Sequence, residues 1–253
     1  MNPSRMTPLL LATLPVALAA QQHTQWAPNS MDRPRPPIVT PGPAGPPAPP
    51  PSDAIVLFDG SDLSQWMAAD SSAAKWKVHD GYFEVVPGTG SMMTRRGFAS
   101  MQLHIEYATP TPATGSGQDR GNSGVYLMSH YEIQVLDSYD NVTYADGQAG
   151  AVYGQTPPLV NPARPPGEWQ TYDIVFHRPI FNADGSIARD ARVTVFYNGV
   201  LVQDNTDIWG WTVHEAVAHY QPHSDKLPIL LQDHGHPVRY RNVWVRELQD
   251  SPR

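Results

Sequence analysis

Tyr131-Glu132-Ile133-Gln134-Val135-Leu136-Asp137 is the stretch from which the rest of the chain is best read. In an extended chain Tyr131, Ile133 and Val135 fall on one face, and Glu132 and Gln134 fall on the other. The run is strongly β-forming, so a carboxylate and an amide stand together on a rigid floor. Two readings stay open: an ordinary half-exposed strand, or a polar site built on a sheet. Asp137 lies five residues from Glu132, which puts it on the wrong face of a regular strand. A bulge just before it would return it to the polar face.

Working outward, the same period of two recurs. Residues 54–58 form a strand that ends at the turn Asp59-Gly60. Residues 76–79 and 82–86 flank Asp80-Gly81, and residues 192–197 and 200–202 flank Asn198-Gly199. Both dipeptides are tight hairpin turns. Met101 to Tyr107, Ser123 to Met128, Thr171 to Phe176, Ile229 to Gln232 and Val238 to Arg246 complete the set. Helix signals are confined to Trp211–His219, and there is no internal repeat. Many short strands punctuated by glycine and proline imply an all-β fold, a jelly-roll sandwich of two antiparallel sheets. One sheet can then curve and offer a concave outer face to a ligand.

The 253-residue chain divides into three parts. Residues 1–20 resemble an export signal: Arg5, a short apolar run from Leu9 to Leu18, and the small-residue site Ala17-Leu18-Ala19. The run is too short to span a membrane, which implies a periplasmic or secreted product without a transmembrane segment. Residues 21–52 are dominated by proline and read as a disordered, semi-rigid spacer. Residues 53–250 form the folded domain. The chain has no cysteine, which excludes disulfides, thiol catalysis and thiolate metal sites. A formal net charge of −7 without a basic cluster argues against nucleic acid and anionic membranes as partners.

Several further residues could carry chemistry. Gly121-Asn122-Ser123-Gly124 precedes a strand and would let ligand and backbone approach closely, although a plain turn also explains it. Gln232 and His234 share a face at a strand end, and histidine can serve as acid, base or metal ligand. Arg239 and Arg241 share a face of the last strand. They would neutralise Glu132 and Asp137 or bind an oxyanion, unless they only protect a sheet edge. His219 and His223 have helical ligand spacing, but Pro222 interrupts it. Tyr153-Gly154 and Gly167-Glu168-Trp169 place aromatics in loops, where they can stack on sugar rings.

Taken in order, these segments resemble one family, the 3-keto-disaccharide hydrolase domain, also described as 3-keto-glucoside 1,2-lyase / 3-keto-2-hydroxy-glucal hydratase. The matching stretches are Leu57-Phe58-Asp59-Gly60 with Leu63 and Trp66, residues 121–127, and residues 131–137. They continue through Tyr153-Gly154, Pro166-Gly167-Glu168-Trp169, Asn198-Gly199, Leu231-Gln232-Asp233-His234-Gly235 and Arg241-Asn242-Val243. The resemblance covers about residues 54–248. It implies a concanavalin-like sandwich related to laminarinase-type glucanases, which carry acid-x-acid-x-x-acid on such a strand. Here the middle position is Gln134 and the last acid is the shorter Asp137. It further implies a carbohydrate substrate, a 3-keto-glycoside cleaved by removal of the C2 proton, elimination at C1 and rehydration. Glu132, Asp137 and His234 would be the catalytic groups. Asn122, Gln134, Tyr153, Gln232, Arg239 and Arg241 would bind substrate. A divalent metal held by Glu132, Asp137 and His234 would be a possible cofactor. The rival readings are a glucanase-type glycoside hydrolase, a non-catalytic carbohydrate-binding module and a structural envelope protein.

Overall fold

Apolar residues at every second position give a strand one dry face, and such strands must pack in layers to bury it. The computed structural model describes residues 25–250. The export signal expected at residues 1–20 lies outside them. In chain order the strands are β1 (Ile55–Phe58), β2 (Trp66–Ala68), β3 (Lys77–His79), β4 (Tyr82–Glu84) and β5 (Met92–Phe98). They continue with β6 (Met101–Ala108), β7 (Ser123–Leu127), β8 (Tyr131–Val135), β9 (Gln170–His177) and β10 (Ile180–Phe181). The last five are β11 (Ile187–Arg189), β12 (Ala191–Tyr197), β13 (Val200–Ile208), β14 (Leu227–Leu231) and β15 (Arg239–Glu247).

The larger sheet runs β13-β12-β9-β6-β15-β4-β3, with β1 also paired to β15; the smaller runs β2-β5-β14-β7-β8. β10 and β11 form a separate ribbon. All strand pairs are antiparallel, and the two sheets form the expected sandwich. The hairpin turns match their sequence signals. Asp80 and Gly81 have φ of 51° and 79°, and Asn198 and Gly199 have 53° and 78°, the left-handed pairs a two-residue turn needs. Residues 211–219 are not helical. Left-handed Glu215, at φ 53°, is incompatible with a continuous helix there. Among the described residues the one helix is a short 3-10 turn, Ala145–Gly147, and no helix is long and apolar enough to cross a membrane.

The core between the sheets is rich in aromatic rings. Phe83 meets Phe58 edge-on at 4.7 Å and stacks with Tyr240 at 5.5 Å. Trp66 is wholly buried, and its indole N–H donates to the Leu57 carbonyl at 2.8 Å, satisfying its one polar atom. Two tyrosines of the larger sheet reach across the core and pin the smaller one. The Tyr172 hydroxyl donates to the backbone carbonyl of Gln134 at 2.6 Å. That of Tyr240 donates to Ser123 Oγ at 2.7 Å, and Ser123 Oγ donates on to the Gln232 carbonyl at 2.6 Å. Buried bonds of this kind contribute about 1 kcal/mol each. They also lock the backbone directly beneath Gln134 and Gln232.

The proline-rich segment departs from the expected free-standing spacer. Residues 25–51 follow the surface of the sandwich and are bonded to it. Asn161 N–H donates to the Pro37 carbonyl at 2.8 Å, and Val39 N–H donates to the Asn161 carbonyl at 3.0 Å. The Arg164 guanidinium donates to the Gly42 carbonyl at 3.0 Å, and the Asn242 amide to that of Ala48 at 3.0 Å. Extended proline-rich chain makes no internal hydrogen bonds, so its carbonyls remain free for donors on the body.

Candidate active site

Directly opposed residues of an antiparallel pair share a face. β7 and β8 pair Tyr126 with Glu132 and Gly124 with Gln134. β14 adds Leu230 opposite Tyr126, and the Gln232 N–H donates to the Gly124 carbonyl at 3.0 Å. Glu132, Gln134, Tyr126 and Gln232 therefore stand on the outer face of the smaller sheet, while Tyr131, Ile133 and Val135 fill the core. Glycine at 124 is a space requirement: a Cβ there would collide with Glu132 Oε1. A cleft of about 170 Å³ opens over this face, lined by Asn122, Tyr126, Glu132, Gln134, Tyr153, Thr212, His214, Gln232 and His234.

Glu132 is its chemical centre. The residue is 3% exposed, and burial pushes its carboxyl up to about 8, opposed only by a hydrogen bond from the Tyr126 phenol. Burial raises the Tyr126 phenol still further, with the Glu132 charge adding to it, so the phenol stays a proton donor. Both flanking loops are tied to the Glu132 backbone. Its N–H donates to Thr212 Oγ1 at 2.9 Å, and its carbonyl accepts from the Tyr153 N–H at 3.2 Å. Thr212 N–H in turn donates to the His130 carbonyl at 2.8 Å, and the His130 ring stacks on Trp211 at 3.8 Å.

The amides form a second layer. Gln134 Nε2 donates to Gln118 Oε1 at 2.9 Å, and the Asn122 amide donates to the Gln118 carbonyl at 2.8 Å. Gln118 is anchored through Nε2 to Thr143 Oγ1 at 2.8 Å and to the Gly147 carbonyl at 3.0 Å. Gln232 Nε2 donates to the Tyr126 hydroxyl at 3.3 Å. The Oε1 atoms of Gln134 and Gln232 are buried with no protein partner. An acceptor left unmatched costs about 1–3 kcal/mol, and hydroxyl donors of a polyol would satisfy both. Tyr153 shares a 2.6 Å hydrogen bond with the Tyr144 hydroxyl. His234 is exposed at the rim, and its turn is braced by Asp233, which accepts from the Gly235 and Gly90 N–H groups at 2.9 and 3.0 Å.

Six of the residues expected from the sequence thus line one cleft: Asn122, Glu132, Gln134, Tyr153, Gln232 and His234. Three expected residues do not. Asp137 stays off the polar face because β8 ends at Val135 without the required bulge and Leu136 enters the core. Its carboxylate accepts from Arg120 Nε at 2.8 Å and from the Tyr139 N–H at 3.2 Å. Arg239 and Arg241 flank core-facing Tyr240 on β15, so they point to the outside of the other sheet, away from Glu132. Arg241 donates to Glu106 at 2.7 Å and lies 4.1 Å from the Trp169 ring, and Arg239 donates to the Gly167 carbonyl at 3.2 Å. The metal set Glu132, Asp137 and His234 is therefore not assembled. Among the described residues no three His, Cys, Asp or Glu side chains are grouped to hold a metal ion. His223 is bonded instead to the Tyr131 hydroxyl at 2.6 Å. Tyr126, Thr212 and Gln118 were not foreseen. Tyr126 could have been found by counting the β7–β8 register; the loop residues carry no periodic signal.

Residues 53–246 match the family profile of the 3-keto-alpha-glucoside-1,2-lyase-like domain. Among solved structures, a candidate glycosyl hydrolase from Parabacteroides distasonis is 46% identical, with a TM-score of 0.78 over 85% of this chain and 93% of its own. A second candidate glycosyl hydrolase from that organism is 20% identical, with a TM-score of 0.56 over 78% and 94% of the two chains. A third is 22% identical, with a TM-score of 0.52 over 77% and 99%. The last two show the shared fold. No curated protein matches the sequence.

Proposed function

The chain belongs to the 3-keto-alpha-glucoside-1,2-lyase-like family, a carbohydrate-acting family, and from that premise we propose that it cleaves 3-keto-glucosides by elimination across C1–C2 followed by hydration. The observation that carries this reading is the number of carboxylates. Glu132 is the one carboxylate among the residues lining the cleft. Displacement at an anomeric carbon uses two, about 5–5.5 Å apart in retaining enzymes and further apart in inverting ones. A ketone at C3 removes that need by making the C2 hydrogen acidic.

In the proposed sequence Glu132 takes the C2 proton, and the electron pair delocalises into the C3 ketone as an enolate. A base whose conjugate acid lies near 8 suits that transfer near neutral pH. The Tyr126 hydroxyl and the cleft amides are the donors available to a developing oxyanion. The enolate then collapses, the C1–O bond breaks, and His234 gives its proton to the leaving oxygen. Water adds to C1 of the resulting enone and a proton returns to C2, which completes net hydrolysis. Gln134 and Gln232 would accept from sugar hydroxyls. The residues present do not make a three-ligand metal centre, and no step depends on one.

The test is a substrate panel. The purified protein is expected to release the aglycone from a 3-keto-glucoside and to leave the matching plain glucoside intact. Cleavage of the plain glucoside would restore the glucanase-type reading. Sugar binding with no product from either would make the domain a binding module.

A further inference from the structure

Every residue that lines the cleft lies within the family-matched span, but two of the segments that carry them are held from outside it. Asn29 and Arg33 lie upstream of the match at residues 53–246, and they bond the segments next to Tyr153 and at His214. We propose that Asn29 is a positioning residue of the cleft, clamping the His214 loop against the Tyr153 loop.

The two halves of Asn29 do different work. Its backbone N–H donates to Asp146 Oδ2 at 3.1 Å. Asp146 is wholly buried, and Arg33 secures it further, with Nη1 3.5 Å from the same oxygen and donating to the Gln155 carbonyl at 2.9 Å. A buried carboxylate holds its place only when so partnered. The Asp146 backbone carbonyl accepts from the Gly154 N–H at 2.9 Å, next to cleft residue Tyr153. The backbone of Asn29 is thereby fixed to one wall.

The side chain reaches the other wall. Asn29 Oδ1 accepts from the Glu215 N–H at 2.8 Å and lies 3.4 Å from His214 Nδ1. His214 lines the cleft and packs edge-on to Tyr153 at 6.4 Å. Glu215 is left-handed at φ 53°, a conformation that a residue with a Cβ does not favour, so its exposed loop needs an outside hold. Asn29 itself sits at φ 60°, which asparagine tolerates and glycine accepts freely. Thr212, two residues before His214, bonds the Glu132 backbone, so the clamp acts on a loop that reaches the proposed base.

This inference rests on the reading of the cleft given above, and its test separates the two. In the full chain, Asn29→Gly keeps the turn and the backbone bond to Asp146 and removes only the acceptor. Two quantities are measured: hydrogen exchange at the Glu215 amide, and steady-state kinetics on a 3-keto-glucoside. The expected result is faster exchange and a higher KM, each by about fivefold, the scale of one hydrogen bond, with kcat within about twofold and the melting temperature nearly unchanged. Unchanged exchange would overturn the clamp, as would a joint fall of kcat and melting temperature without a rise in KM. A parent protein that does not turn over the sugar refutes the functional reading alone, because exchange at Glu215 still decides whether Asn29 holds the loop.

Discussion

Glu132→Gln is expected to lower kcat on a 3-keto-glucoside by a factor of about 10² to 10⁴, the range over which a positioned general base accelerates proton transfer. The substitution removes the base and little else. Glutamine has nearly the same shape, so it fits the space that Gly124 leaves free and still meets the Tyr126 hydroxyl. The hydrogen bonds from Glu132 to Thr212 and Tyr153 involve its main chain and survive. KM should therefore move by no more than a few-fold, which marks the loss of an interaction used in the transition state rather than in binding. Rapid-mixing or steady-state assays on the purified variant decide it. Activity within about tenfold of the parent would remove Glu132 from the role of base.

The second large effect is on pH, where activity and stability move in opposite directions. A base must be deprotonated to act. With Glu132 near 8 in the folded protein, the limb of kcat/KM set by the base should rise about tenfold per pH unit below that value. Stability follows the other sign. The carboxyl has an ordinary value of 4.5 and a folded value of about 8, so the folded state holds its proton where the unfolded state has released it. Below 4.5 both states are protonated and the group contributes no pH dependence. Between the two values each pH unit costs the native state about 1.4 kcal/mol, and above the upper one the penalty is constant. Glu132→Gln escapes this cost. Its melting temperature should exceed the parent's by several degrees at pH 8.5, with much of the difference gone at pH 5. A difference that is the same at both pH values would mean that Glu132 does not titrate in this window.

What could be read from the sequence, and what could not, follows from the reach of each signal. Period-two alternation assigned residues to faces: Glu132 with Gln134, Gln232 with His234, and Arg239 with Arg241. It could not say which sheet a strand joins, and that is why the two arginines were assigned to the wrong side of the sandwich. β5 escaped notice because Arg95 and Arg96 are both exposed, with the pairing register shifting opposite this stretch, which breaks the alternation. Tyr126 was hidden because a tyrosine between strand residues ordinarily signals core. Only its pairing opposite Glu132 gives it away. Asp137 required knowing where β8 stops, a matter settled by its contact with Arg120. The proline-rich segment was misjudged for a different reason. Its lack of internal hydrogen bonds says nothing about bonds offered to it by Arg164 and Asn242.

The most direct measurement is proton exchange at C2. A 3-keto-glucoside is incubated in deuterium oxide with the parent protein and with Glu132→Gln, and the C2 hydrogen of recovered substrate and product is followed by NMR. Enzymatic abstraction predicts deuterium at C2 of the product in the parent reaction, and little beyond the uncatalysed background in the variant. Product formed by the parent with its original C2 hydrogen retained would contradict the account, because the glycosidic bond would then have broken without an enolate.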